Sequence, residues 1–159
     1  MTERVVVDTG PLIALSRAGL LEPVAKLPID FICPAEVGAE IEAGVEAGYR
    51  AALPEWVTTV PLASPIDPVA LASLDEGEAA VIQLALESNI ERVCIDELKG
   101  RRAAMAVGLK TIGSLGLLAK AKVLGIIPAL RPEIEKLVRE GAFYGENLVR
   151  RILAAVDEK

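Results

Sequence analysis

The chain has 159 residues and no histidine, and this absence removes several classes of chemistry at once. Ser-His-Asp and Cys-His nucleophile systems need an imidazole base, and most zinc sites use histidine or several cysteines. With two cysteines and no imidazole, the sequence excludes these catalytic and metal-binding classes.

Aromatic residues and cysteines are scarce as well. Aromatics make up only 3% of the chain, so the core must be built from Val, Ile, Leu and Ala. Cys33 and Cys94 each lie in an apolar, strand-like run far apart in the sequence, which predicts buried free thiols and not a disulfide.

Long uncharged apolar runs are also missing. Charged residues such as Glu3 and Asp8 interrupt the first apolar stretch, so no secretory signal is expected. The best membrane candidate, Thr111–Leu130, carries Lys120 and Lys122 in its middle and is rejected. We therefore expect no membrane partner and take the cytoplasm as the default compartment.

Charge is distributed unevenly along a chain of ordinary globular composition, which its length predicts to form one domain over residues 1–159. The net charge is −6, but residues 1–98 carry −12 and residues 99–151 carry +7. Such asymmetry indicates a polyanionic partner such as nucleic acid, although a basic half can also be a solvated face.

Short apolar runs alternate with helix-like segments along the chain. Strands are predicted at Val5–Val7, Asp30–Cys33, Arg92–Ile95 and Lys110–Ile112, with an edge strand at Val57–Val60. Strands that alternate with helices form a parallel sheet covered by helices on both faces. The pattern predicts an α/β fold with about five strands.

The helices between these strands show recognisable start and stop signals. Asp75 precedes Glu78 by three residues, close to a capping box, so one helix should run from there to about Ser88. Other helices are predicted after Pro11 and Pro34, over Leu98–Val107 and Leu115–Leu124, and at about 132–140 and 146–156.

Four carboxylates lie where the chain turns from strand to helix. Asp8 and Asp96 each end an apolar strand, Glu40 follows the second strand, and Glu78 opens a helix. Acidic groups at the carboxyl edge of a parallel sheet converge, and they raise each other's pKa values unless a cation neutralises them. Because the chain has no histidine, Mg²⁺ or Mn²⁺ is the natural cation.

The sequence evidence for a functional role differs among the four carboxylates. The placement of Asp8 and Asp96 after buried strands favours a functional role by itself. Glu40 alone would be an ordinary surface charge on a helix, and Glu78 would be a helix-start charge that favours the helix dipole. For these two glutamates both interpretations stay open at this point.

Three cations follow the last of these carboxylates. Lys99, Arg101 and Arg102 lie within about one helical turn after Asp96. They form either a solvated helix face or, if Asp96 binds a metal, a surface where a phosphodiester backbone approaches.

Together these segments resemble the PIN-domain family of metal-dependent ribonucleases, most of all short prokaryotic PIN-like proteins related to VapC-type toxins. The likeness covers nearly the whole chain in order. It rests on the segments Val5–Leu15, Cys33–Glu40, Leu74–Ala79, Ile95–Ala103 and Gly108–Gly116.

The resemblance implies a Rossmann-like three-layer sandwich with a mostly parallel, five-stranded sheet and C-terminal helices at about 132–156 as an extension. It carries the family's catalytic and metal-ligating set onto Asp8, Glu40, Glu78 and Asp96. Thr9 matches a hydroxyl position that supports the first aspartate. Glu97 stands where the subgroup usually has a second aspartate, and its side chain is one methylene longer.

The implied function is an Mg²⁺- or Mn²⁺-dependent endoribonuclease that hydrolyses RNA phosphodiester bonds. Asp8 and Asp96 would hold the principal metal, while the basic residues Lys99, Arg101 and Arg102 would contact the RNA backbone. In the toxin systems of this family the usual partner is a small antitoxin, and the proteins are often dimeric.

Two alternatives stay open. The first is a catalytically silent PIN-like module that binds RNA or protein. The second is a phosphotransfer enzyme with Asp8 as nucleophile, which is weakened because no second aspartate follows two residues later.

Overall fold

Five strands form one sheet in the computed structural model of the chain, which describes residues 2–48 and 53–158. The strands are β1 (Glu3–Val7), β2 (Ile29–Pro34), β3 (Val57–Val60), β4 (Arg92–Cys94) and β5 (Lys110–Ile112). Their order is β3-β2-β1-β4-β5, and every pairing is parallel. The predicted α/β fold with a parallel, five-stranded sheet is confirmed, and the predicted edge strand β3 lies at the sheet edge.

Nine helices occur in the described part of the chain. They are α1 (Thr9–Arg17), α2 (Leu21–Ala25), α3 (Ala35–Glu46), α4 (Pro68–Leu71), α5 (Glu76–Glu87), α6 (Leu98–Ala106), α7 (Ser114–Val123), α8 (Arg131–Arg139) and α9 (Glu146–Ala155). Helices α2 and α4 were not predicted, because segments of about one turn have no apolar periodicity to detect. Helix α4 depends on a local cap in which the Asp67 side chain accepts the Val69 N–H at 2.9 Å.

The middle of the sheet is its most buried part. Val5, Val6 and Val7 of β1 are at most 1% exposed, since β1 has a neighbouring strand on each side. Helix α5 packs on β1, β2 and β4, and α3 packs on α5 and β2. These contacts bring the starts of α3 and α5 to the carboxyl end of the sheet.

The chain divides into two compact units. The first contains residues up to Ile13 together with Pro28–Gly113, and so it holds the sheet and helices α3 to α6. The second contains Ala14–Leu27 and the residues from Ser114 onward, and within it α2 contacts α7. The single domain over residues 1–159 stays a prediction.

Two further expectations concern cysteine and membranes. Cys33 and Cys94 are both free and buried, as predicted. None of the helices in the described ranges combines the length and the apolar character that a membrane span needs.

Candidate functional site

Asp8 lies at the point where the strand order of the sheet reverses. Strands β2 and β4 flank β1 on opposite sides, so the sheet grows from β1 first in one direction and later in the other. Proteins of the α/β class build their sites at such a switch point. The Asp8 N–H donates to the Cys94 carbonyl of β4 at 3.0 Å. The Thr9 N–H donates to Asp8 Oδ1 at 2.9 Å and fixes this carboxylate, which is only 8% exposed.

The start of α5 adds two carboxylates through a capping box, as the sequence predicts. The Glu78 N–H donates to Asp75 Oδ1 at 2.7 Å, and the Asp75 N–H donates to Glu78 Oε1 at 3.3 Å. Each side chain is therefore held by the backbone of the other. Glu78 is 2% exposed, so its charge is fixed in a nearly closed environment.

Three carboxylates converge on the open side of Gly77. A methyl group added to this glycine would lie 2.9 Å from Glu40 Oε1, 3.4 Å from Asp8 Oδ1 and 3.5 Å from Asp75 Oδ1. These residues come from α3, from the end of β1 and from the cap of α5. Glycine at position 77 is therefore what allows the three acidic groups to approach one another.

Burial and mutual repulsion perturb the acidity of Asp8. Burial raises the pKa of Asp8 to about 7, although the hydrogen bond from the Thr9 N–H acts in the opposite direction. Burial is the largest contribution to this value, and the negative charges of Asp75, Glu78 and Glu40 add smaller increases that it already includes. A buried carboxyl with such neighbours favours a proton or a cation.

The pKa values of Glu40 and Glu78 are raised as well. Partial burial raises the pKa of the Glu40 carboxyl above its ordinary value, with a smaller increase from Asp75 and an opposing effect of the Thr9 hydroxyl. Burial also raises the pKa of Glu78, and the charges of Asp75 and Glu97 act in the same direction. The hydrogen bond from the Asp75 N–H and the Lys99 ammonium lower this pKa. The structure thus groups Asp8, Glu40 and Glu78 into one electrostatic cluster.

Asp96 has a different setting, beside Gly113 and Arg101. A methyl group added to Gly113 would lie 2.8 Å from Asp96 Oδ1 and 2.9 Å from Arg101 Nη1. Arg101 Nη1 also donates to the Ile95 carbonyl at 3.4 Å. The structure therefore places a predicted RNA-contacting arginine directly beside a predicted metal ligand, and Asp96 itself is exposed.

The remaining predicted residues surround this arrangement. Glu97 is exposed at the N-cap of α6, and Lys99 and Arg102 are exposed on that helix. Thr9 is 4% exposed and supports Asp8 through its backbone N–H. Its buried hydroxyl, which lies near Glu40, has no hydrogen-bond partner of good geometry in the described residues.

Two members of the site were missed from the sequence. Asp75 was assigned only a capping role, and Gly77 was assigned none. A signal for both was present, because glycine near the start of a helix is unfavourable and often marks a close approach of other groups. A glycine between the two capping-box carboxylates could have indicated that these carboxylates meet further acidic residues there.

The donor set fits a hard divalent cation in its chemistry. It offers only oxygen ligands, an unsatisfied buried hydroxyl on Thr9, and a space beside Gly77 that a side chain would fill. No group of three or more acidic or cysteine side chains among the described residues is positioned to hold a metal ion by itself. Coordination partly through water, which is usual for Mg²⁺, is compatible with this spacing.

The raised pKa of Asp8 predicts how stability depends on pH. Below about pH 4 this carboxyl is protonated in both states, whereas between about 4 and 7 only the unfolded chain ionises. We expect the free energy of unfolding in EDTA to fall over this range by up to about 4 kcal/mol, at 1.36 kcal/mol per pKa unit. Urea unfolding at successive pH values measures this decrease in the free energy of unfolding. Asp8→Asn should flatten the profile, and an unchanged profile in that variant would contradict the assignment.

The chain is similar to a known protein family. A protein-family model described as a PIN domain matches residues 4–158, which is nearly the whole chain and includes every carboxylate of the site. No curated protein matches the chain. The match agrees with the resemblance carried by the strand-end carboxylates.

Proposed function

Because the chain belongs to the PIN-domain family, we propose that it is an Mg²⁺- or Mn²⁺-dependent endoribonuclease that hydrolyses RNA phosphodiester bonds. The PIN domain is a nuclease-type fold, and PIN domains typically use divalent metal ions. The observation that supports the proposal most is the convergence of Asp8, Glu40 and Asp75 on the space beside Gly77.

Each carboxylate has a place in this proposal. Asp8 and Asp96 would hold the principal ion, and Glu40 and Glu78 would ligate it directly or through water. Asp75 adds negative charge next to Asp8 and fixes Glu78 through the capping box. A bound Mg²⁺ or Mn²⁺ would supply charge neutralisation at the phosphate and a more acidic water molecule.

The cations of α6 complement the acidic cluster. Arg101 lies beside Asp96, and Lys99 is close enough to Glu78 to lower the pKa of that carboxyl. In the proposal these residues and Arg102 contact the phosphodiester backbone, where charge matters and base identity does not. This is how a protein of net charge −6 would bind a polyanion.

Several finer features belong to the same proposal. They are a toxin role, a small antitoxin as partner, a second copy of the chain in a homodimer, and action in the cytoplasm. The first three follow from the likeness to VapC-type toxins, whereas the cytoplasm is the default compartment expected from the sequence, and each needs its own test.

A metal-free RNA- or protein-binding module is the second candidate. The observation in its favour is the spacing of the acidic side chains, since no three in the described ranges are positioned to hold an ion by themselves. Metal binding in solution separates the two candidates.

We expect EDTA-treated protein to leave single-stranded RNA intact and added Mg²⁺ or Mn²⁺ to restore cleavage. The same ions should raise the melting temperature at pH 8, because a ligand that binds only the folded state stabilises it. At about 100 times the dissociation constant the gain is about 2.7 kcal/mol, or roughly 5–10 °C for a chain of this length. A sodium salt at equal ionic strength is the control. No cleavage and no thermal shift with either ion would favour the binding module.

A further inference from the structure

Arg101 differs from the other cations at the start of α6 in where its side chain lies. It is half-buried, whereas Lys99 and Arg102 on the same helix are exposed. Side chains on a helix lean toward its N-terminus, so Arg101, the fourth residue of α6, reaches back over the start of the helix. Its Nη1 atom donates to the Ile95 carbonyl at 3.4 Å, which places the guanidinium group at the carboxyl end of β4.

The guanidinium group meets the Asp96 carboxylate at this end of the sheet. A methyl group added to Gly113 would lie 2.8 Å from Asp96 Oδ1 and 2.9 Å from Arg101 Nη1, so both atoms border the same small space. Asp96 follows the strand that pairs with β1, and Asp8 follows β1 itself. The positive charge of Arg101 therefore lies beside one of the two aspartates that the proposed metal ion needs.

A metal ion and Arg101 cannot both take Asp96 without a cost. Two positive charges in the space in front of Gly113 repel each other, and a carboxylate beside a guanidinium group attracts a second cation less strongly. A guanidinium group that is displaced from its carboxylate stays charged, and its fork matches the oxygens of a phosphate. An RNA backbone would supply such a phosphate.

We propose that Arg101 is a positioning residue that holds Asp96 in the metal-free protein, competes with the metal ion for it, and moves to an RNA phosphate when the ion binds. The inference rests on the proposed function and names the way in which its metal and RNA sites depend on each other. Metal and RNA then strengthen each other's binding by the same factor, because coupling between two ligands is reciprocal.

Calorimetric titration of the full chain with Mn²⁺ in the absence of RNA tests the competition. Arg101→Gln and Arg101→Met should each bind the ion about fivefold more tightly than the parent, the ratio for one ion pair at the upper end of the range for exposed pairs. Glutamine keeps a donor for the Ile95 carbonyl and methionine keeps an apolar stem, so a gain in both variants assigns the effect to the charge. A gain in only one of them would assign it to local packing and overturn the inference.

Arg102→Gln is the matched control for this titration. It removes an exposed charge from the next position of the same helix. At about 0.15 M salt its Mn²⁺ affinity should stay within about twofold of the parent, because exposed charges are largely screened. A gain in Arg102→Gln as large as that in the Arg101 variants would mean that the net charge of α6, and not a pairing with Asp96, sets the metal affinity.

Binding of a fluorescein-labelled single-stranded oligoribonucleotide in EDTA tests whether Asp96 holds the arginine. An arginine that is held makes no phosphate contact, so Arg101→Gln should leave the slope of log affinity against log salt unchanged. In Asp96→Asn protein the arginine is released, and the same Arg101→Gln change should reduce the slope by about 0.7, the value for one phosphate contact with a single strand.

The outcomes separate this inference from the proposed reaction. If the Arg101 variants bind Mn²⁺ no more tightly than the parent, or if Arg101→Gln reduces the salt slope with Asp96 intact or in neither background, the inference is wrong, even where the parent cleaves RNA. If the expected effects appear but the parent never cleaves RNA in Mg²⁺ or Mn²⁺, the pairing stands and the proposed reaction is wrong. If neither the parent nor the Arg101 variants bind Mn²⁺, the inference and the metal dependence of the proposed function both fail.

Discussion

Asp8→Asn is expected to lower the rate of metal-dependent RNA cleavage by more than about 100-fold, since even indirect partners of metal ligands cost 10–100-fold when replaced. The same variant should be more stable than the parent in EDTA at pH 8. Asparagine keeps an acceptor for the Thr9 N–H but removes a charge that is only 8% exposed and that is repelled by Asp75, Glu78 and Glu40. Initial cleavage rates and urea unfolding measure the two effects.

The opposite signs of these effects make the test specific. A variant that loses activity because it misfolds would lose stability, whereas removal of a destabilising functional charge gains it. Asp157→Asn is the matched control, because Asp157 is exposed and its positive φ of 61° is tolerated by asparagine. Cleavage by Asp8→Asn at the parent's rate, or a clear loss of stability, would show that Asp8 is misassigned.

Most of the fold could be predicted because each strand is an apolar run bounded by turn residues. Val57–Val60 and Lys110–Ile112 have the predicted limits, and Arg92–Cys94 is one residue shorter than predicted. The two short helices could not be predicted, since their stability comes from caps and tertiary packing and not from periodicity. Pro68 occupies the first turn of α4, where its missing N–H costs nothing.

The site could be predicted only in part. Asp8 and Asp96 are placed by adjacent parallel strands, which a sequence pattern can indicate. The approach of Glu40 to Asp8 depends on how α3 packs against α5 across Gly77, and no local signal in α3 encodes this contact. Arg101 was expected to face RNA, but its position six residues after Ile95 also lets it reach back to that carbonyl.

Asp96 and Arg101 therefore form a distinct part of the site. The carboxylate is exposed and shares the space in front of Gly113 with the guanidinium group. A metal ion bound by Asp96 would attract this carboxylate away from Arg101 and leave the arginine to a phosphate. The carboxylates beside Gly77 repel one another, since the charges of Asp75, Glu78 and Glu40 raise the pKa of Asp8, and a bound metal ion would relieve this repulsion.

Gly77→Ala is expected to weaken binding of Mg²⁺ or Mn²⁺ by roughly 10–100-fold without unfolding the protein. The added methyl group would lie 2.9 Å from Glu40 Oε1, so this carboxylate must move, and it can move cheaply because it ends a flexible, exposed side chain. Alanine is also a better helix former than glycine, so stability in EDTA should stay unchanged or rise by up to about 1 kcal/mol. Thermal shift against metal concentration and urea unfolding measure the two quantities.

Gly10→Ala provides the control for this substitution. Gly10 lies in the first turn of α1, and a methyl group there would meet no atom within 4 Å, so metal affinity should not change. Because Gly77→Ala alters no charge and removes no ligand, a loss of affinity confined to it can come only from the displaced geometry of the carboxylates beside it. Equal affinities in Gly77→Ala and the parent would mean that Glu40 does not contact the ion, and the site would then reduce to Asp8, Glu78 and Asp96.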